Sequence, residues 1–70
     1  MNWNKGLSME RFEELRQVAK EVARKLTGRH EAEELVKGIE KAQTLMGIKR
    51  TFEARGFKTE FEDMMIEFFK

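Results

Sequence analysis

Histidine, cysteine and serine, which often supply the nucleophile or base of a catalytic site, are scarce in this 70-residue sequence. There is one histidine, His30, and no cysteine, while Ser8 is far from His30 in the sequence and is better explained as a helix cap. Covalent catalysis needs a nucleophile beside a base that a third group orients, and no such set can be recognised. The glycines are spread along the chain, so no phosphate-binding loop is formed either. These residue types predict a protein that is not an enzyme, needs no cofactor and acts on no small-molecule substrate.

A metal site is the other chemistry that His30 could support. The run His30-Glu31-Ala32-Glu33-Glu34 resembles the zinc-protease pattern H-E-x-x-H, but Glu34 stands where the second histidine belongs. His30 and Glu34 could share one helical face around an adventitious ion, yet a zinc site needs three or four ligands. We interpret His30 as a solvent-exposed residue near a helix start and predict no metal site.

Positive charge is concentrated between residues 47 and 58, which carry four cations against the single carboxylate of Glu53. These cations are Lys49, Arg50, Arg55 and Lys58. Residues 59–70 are the opposite, with four carboxylates against one lysine. The favoured interpretation is that the basic cluster pairs with the acidic helix that follows it, in the same chain or in another protomer. The alternative is that the cluster contacts phosphates, which would make the protein a small nucleic-acid-binding regulator.

The segment Arg55-Gly56-Phe57 also begins like the RNP1 pattern of RNA-recognition domains, but residues 58–62 depart from it and no sheet is predicted for it to join. The segment is better explained as the joint between two helices. Gly56 can take the left-handed conformation that ends a helix. Thr59 and Glu62 have the spacing of a capping box that starts the next helix.

An all-α fold follows from the absence of proline and the abundance of helix-forming residues. Apolar residues at helical spacing predict helices over about 8–27, 30–55 and 59–69. The first two form an antiparallel hairpin, and the third packs on it to make a small three-helix bundle that dimerisation would complete. Residues 1–7 are predicted to be an irregular arm and residues 8–70 a single helical domain.

The second predicted helix contains a change of apolar phase at Gly47. Two stripes differ by roughly a quarter to a third of a turn at ~100° per residue. The first stripe contains Leu35, Ile39, Ala42 and Met46, and the second contains Leu45, Ile48 and Phe52. Either the helix continues to Arg55 and packs against two neighbours, or it breaks at Gly47. Continuity is favoured, because one interior glycine costs only about 1 kcal/mol.

The third predicted helix is unusually apolar, with six large apolar residues between Phe61 and Phe69. A monomer of this size has difficulty covering all of them, and contiguous exposed apolar patches commonly mark interfaces. We therefore expect a small regulatory or adaptor protein that binds another protein, itself, or both, through amphipathic helices. The residues expected at that interface are Trp3, Met64, Met65, Phe68 and Phe69.

The setting predicted from the sequence is the cytoplasm. No apolar run approaches the ~20 residues that a membrane span needs, and no basic-then-apolar leader indicates export. We expect no membrane partner.

Overall fold

The computed structural model describes residues 7–70, which form four helices and, over that range, no strand. The helices are α1 (Met9–Leu26), α2 (Arg29–Lys41), α3 (Leu45–Glu53) and α4 (Lys58–Phe68). The predicted all-α fold is confirmed, and the four helices pack as a compact bundle. The number of helices was predicted wrongly, because residues 30–55 form two helices and not one. Trp3 and the rest of the predicted arm before Leu7 lie outside the described residues.

Helix α1 begins where the sequence predicted. The Ser8 hydroxyl accepts a hydrogen bond of 3.1 Å from the backbone N–H of Arg11, which satisfies one of the donors that a helix start leaves free. The buried stripe of α1 is made of Leu15, Ala19 and Ala23. Two alanines in this stripe leave room for a neighbouring helix to approach closely, and α2 packs along α1 after a two-residue connection.

The helical conformation is interrupted at residues 42–44, between α2 and α3 and before Gly47. Ala42 leaves the helical conformation with φ −67° and ψ 128°. The Thr44 side chain then accepts a 3.2 Å hydrogen bond from the N–H of Gly47 and so caps a new helix. The phase change in the sequence was therefore a true sign of a break, and the preference for a continuous helix was wrong. Thr44, an ordinary N-cap residue, was the local signal of the restart.

The break lets most of both apolar stripes of this segment face the same core, and Met46, at 44% exposure, is left outside it. Leu35 and Ile39 of α2 and Ile48 and Phe52 of α3 are each no more than 1% exposed. Helices α2 and α3 pack closely at Gly38, because a Cβ added there would lie 2.7 Å from a methyl carbon of Thr51. Two short helices thus bury side chains that one straight helix would hold a quarter-turn or more apart.

The predicted helix stop at Gly56 is confirmed. Gly56 has φ +82°, and the N–H of Phe57 donates to the Phe52 carbonyl at 3.0 Å. The predicted capping box is wrong, because α4 begins at Lys58 and Thr59 is already inside its first turn. The position before the helix is Phe57, which offers no side-chain cap. The reversal at Gly56 is tight enough for the helix to begin immediately, so the Phe57 carbonyl accepts from Phe61 at 2.9 Å.

All four helices contribute to one hydrophobic core. Its buried members are Leu15, Ala19, Ala23, Leu35, Ile39, Leu45, Ile48, Phe52, Phe61, Met64 and Met65. At its centre the rings of Phe52 and Phe61 lie 5.8 Å apart, which ties α3 to α4. In the part of the chain that the structure describes, no helix is both long and apolar enough to cross a bilayer.

The two threonines give a direct test of where the helices begin. Thr44→Ala should lower the free energy of unfolding by about 1 kcal/mol, because it removes the cap of α3. Thr59→Ala should change it by less than about 0.5 kcal/mol, since that hydroxyl caps nothing. Urea denaturation followed by circular dichroism measures both. A larger loss for Thr59→Ala would contradict these helix boundaries.

Candidate functional site

A groove of about 580 Å³ lies between the first and last helices, α1 and α4. Its floor is apolar and comes from both helices, with Val18, Val22 and Leu26 on α1 and Met64 and Phe68 on α4. Its rim is acidic and consists of Glu60, Asp63 and Glu67. The combination of an apolar floor with carboxylates along one edge is the most distinctive surface feature of the described chain.

The spacing of residues within each helix explains how the groove forms. Val18, Val22 and Leu26 follow one another at intervals of four and run beside the buried stripe of α1, so they are only half-covered by the core. Met64 and Phe68 have the same spacing of four on α4, where Phe68 is half-buried and Met64 is buried in the core. The three acidic residues occupy the adjoining row at i, i+3 and i+7, which places them on one edge of α4.

The acidic rim is only weakly neutralised by the protein itself. Glu67 lies 3.8 Å from the Lys70 ammonium, and both side chains are well exposed. Glu60 and Asp63 form no ion pair with any residue between 7 and 70. Exposed pairs such as Glu67–Lys70 contribute little, so the edge keeps its negative charge for an external cation.

Arg11 fixes one end of the groove. Its guanidinium lies 4.1 Å from the centre of the Phe68 ring and donates to the Phe68 carbonyl at 3.2 Å. The same side chain pairs with Glu14 at 2.7 Å. Helix α4 has no basic residue in its last turn, so Arg11 supplies the positive group that a helix end favours. The contact holds α1 and α4 together and leaves the groove preformed.

A second cationic contact, on the α2 side of α1, is structural. Arg16 and Lys20 are each 9% exposed. The Arg16 guanidinium donates to the carbonyls of Ile39 and of Glu40, the latter at 3.0 Å, and Lys20 pairs with the Glu40 carboxylate. Carbonyls in the last turn of a helix lack partners within the helix. Arg16 therefore satisfies carbonyls at the end of α2, and Lys20 ties the Glu40 side chain to α1.

The residues predicted to bind a partner are divided among three environments. Phe68 lines the groove, Met64 lies at the base of the groove while being 5% exposed and part of the core, and Met65 is 1% exposed and belongs to the core alone. Phe69 is 39% exposed and lies, with Ile66, on the other side of α4. Trp3 lies outside the described residues. Sequence reasoning placed Val18 in the apolar stripe of the first helix and recognised the last helix as acidic, but it did not bring the two together in one groove; the i, i+3, i+7 row of carboxylates could have indicated that edge.

The predicted basic cluster does not pair with the acidic helix inside this chain. Arg55 instead lies 3.8 Å from Glu31 of α2. Lys49 is half-buried, and Arg50 and Lys58 are exposed. Among residues 7–70, none of these last three forms an ion pair. The intramolecular form of the pairing hypothesis is therefore not what the structure shows.

A second hollow, of about 620 Å³, lies between α1 and α2. It is lined by Arg24, Arg29, Ala32, Glu33, Val36 and Lys37. Only two of these residues are apolar, and two of the cations lie 3.9 Å from glutamates of the same helix. This hollow has a more polar lining and a rim of mixed charge, so the groove between α1 and α4 is the stronger candidate.

Metal-ligating side chains do not gather in the described region. His30 is exposed in the first turn of α2, and over residues 7–70 no three acidic or histidine side chains converge on one point. The chemistry available at the groove is that of apolar contact and carboxylate charge.

No protein-family model matches the chain, and no curated protein or solved structure is detectably similar to it. The class of function is therefore inferred from the groove and from the charges around it.

Proposed function

We propose that the protein is a small non-enzymatic regulator or adaptor that binds a segment of another protein in the groove between α1 and α4. One observation carries the proposal, namely the preformed groove of about 580 Å³ with an apolar floor supplied by two helices. Apolar grooves between helices are a common way for small helical proteins to recognise a partner helix. The sequence predicted binding through amphipathic helices, and the proposal assigns that binding to one surface, the groove between α1 and α4.

The dimensions of the groove suit a short amphipathic helix. From Val18 to Leu26 the α1 wall is about 12 Å long at 1.5 Å per residue, and from Glu60 to Glu67 the α4 wall is about 10 Å long. A partner helix of two to three turns would cover this length. It would present apolar side chains at i, i+3 or i+4, and i+7 to the floor.

The test is capture that depends on the groove. The full chain, carrying a photoreactive group at Lys25, an exposed residue beside the apolar row of α1, would be irradiated in a native cell extract and its cross-linked products identified. Val22→Gln, which places an amide in the floor, should abolish the specific product. Met9→Gln changes an apolar residue on the same helix that is 81% exposed, and should leave the product unchanged. If no cross-linked product depends on Val22, the proposal is eliminated. Thermal melts check that both variants are folded.

Two further predictions from the sequence are kept as part of this proposal. They are that α1 and α2 form an antiparallel hairpin and that the protein is a homodimer. The half-buried apolar residues of the groove provide surface that a second copy could also cover. Light scattering across a concentration series tests the dimer. A constant mass equal to one chain would rule it out and leave the groove available to another protein.

Nucleic-acid binding is the second candidate function. It is favoured by one observation, that Lys49, Arg50 and Lys58 have no ionic partner among residues 7–70. A mobility-shift titration at several salt concentrations provides the test, since phosphate contacts weaken as salt rises. No shift at low salt, or no loss when all three residues are changed to alanine, would exclude it.

A further inference from the structure

We infer that the occupant of the α1/α4 groove is a basic amphipathic helix, with apolar residues on the floor and Lys or Arg residues along the side that faces α4. The inference rests on the proposed function and names the chemistry of the partner. It depends on the sign and position of the charges at the groove edge, which the apolar floor alone does not determine.

The charge at the α4 edge is of one sign and is ordered along the helix. Among residues 7–70, the polar side chains that line the groove are Glu60, Asp63 and Glu67, and the Arg11 guanidinium lies at one end over Phe68. The three carboxylates span about 10 Å in a single row. Cations spaced at i, i+3 or i+4, and i+7 on a parallel or antiparallel helix would meet this row one by one. A partner with carboxylates on that side would be repelled, so the rim selects against acidic helices.

The α1 edge of the groove carries less net charge than the α4 edge, so the two edges favour different residues of a partner. Helical spacing places Glu14, Glu21 and Lys25 outside the apolar row of α1. Lys25 opposes the two carboxylates, and Glu14 is already engaged by Arg11 at 2.7 Å. The cations of the partner should therefore gather on its α4 side, and its α1 side should tolerate neutral residues.

The carboxylates of α4 are concentrated on the side that faces the groove, and Glu62 is the exception. Glu62 is exposed on the same helix, but helical spacing turns it toward Ile66 and Phe69 and away from the groove. The groove side of α4 thus carries three carboxylates beside an apolar floor, and the far side carries one. Glu62 provides a control of identical charge on the same helix.

The experiment uses the full chain and two synthetic helical peptides with identical leucine positions. One peptide carries Lys, and the other Glu, on the side that flanks the leucines. Fluorescence anisotropy at low and moderate salt should show binding of the basic peptide, weaker binding at higher salt, and no binding of the acidic peptide. The triple variant Glu60→Gln, Asp63→Asn and Glu67→Gln should weaken binding of the basic peptide about tenfold. Glu62→Gln should leave it unchanged.

The outcomes separate this inference from the proposed function. Equal binding of both peptides that Val22→Gln abolishes would overturn the charge inference and keep the groove as a protein-binding site. Binding of the basic peptide that Val22→Gln leaves intact would overturn the inference, since the peptide would be held by charge alone. If neither peptide binds while cross-linking in extract still depends on Val22, the partner is not a basic helix. If light scattering shows a dimer that Val22→Gln disrupts, a second copy is the occupant and the inference fails.

Discussion

Replacing Phe52 with alanine should cost about 3–5 kcal/mol of folding free energy, which is the usual cost of removing a buried phenylalanine. Phe52 is fully buried, and its ring lies 5.8 Å from that of Phe61. A single core of this size supplies only a few kcal/mol of net stability. We therefore expect Phe52→Ala to be largely unfolded at room temperature, as measured by circular dichroism and urea titration.

Phe69→Ala is the matched control for this substitution. The same atoms are removed, but Phe69 is 39% exposed and its ring contacts Phe68 edge-to-face at 5.1 Å. The expected loss is about 1 kcal/mol or less. Comparable losses for the two variants would mean that Phe52 does not occupy the centre of the core.

Arg16→Met should produce the second-largest effect, a loss of about 2 kcal/mol. One guanidinium nitrogen, Nη1, donates to two carbonyls in the last turn of α2. A hydrogen bond to a charged donor is worth ~1.5–3 kcal/mol, and we expect a loss within that range because the two bonds share one donor nitrogen. Methionine preserves much of the apolar stem, so the loss reports mainly on the capped carbonyls. Urea denaturation measures it, and hydrogen exchange at the end of α2 should show faster opening there than in α1.

Arg24→Met makes the same chemical change at an exposed position of α1. It should alter the free energy of unfolding by less than about 0.5 kcal/mol. Buried charged groups can sometimes be replaced by apolar residues at no cost. If Arg16→Met is as stable as Arg24→Met, Arg16 is a buried charge that an apolar residue replaces at no cost. Its hydrogen bonds would then not be what ends α2.

Features that depend on neighbours in the sequence were predictable. The start of α1 at Ser8 and the stop at Gly56 follow from side-chain capping and from the one conformation that glycine adopts easily. The buried stripes follow from apolar periodicity. Thr59 was mistaken for a cap because local spacing allowed it, while the tight reversal at Gly56 had already begun the helix at Lys58.

Features that depend on distant residues were not predictable in this way. The end of α2 involves Arg16, which lies 23 positions before the Ile39 carbonyl that it binds. The groove requires the first and last helices to lie side by side, which no local pattern specifies. Its floor could be guessed in part, since Met64 and Phe68 were selected from the sequence. Its acidic edge could not be recognised as part of a binding surface until Val22 was known to line the same groove.

The location of the groove has a thermodynamic consequence. Because its walls are α1 and α4, an occupant would join the two helices that lie furthest apart in the described sequence and would oppose their separation on unfolding. A partner present at a hundred times its dissociation constant adds about 2.7 kcal/mol to the stability of the folded form. For a domain with a margin of a few kcal/mol, that increment is comparable to the whole. The partner would then set the lifetime of this protein in the cell, by protecting bound copies from proteolysis and leaving unbound copies to be degraded.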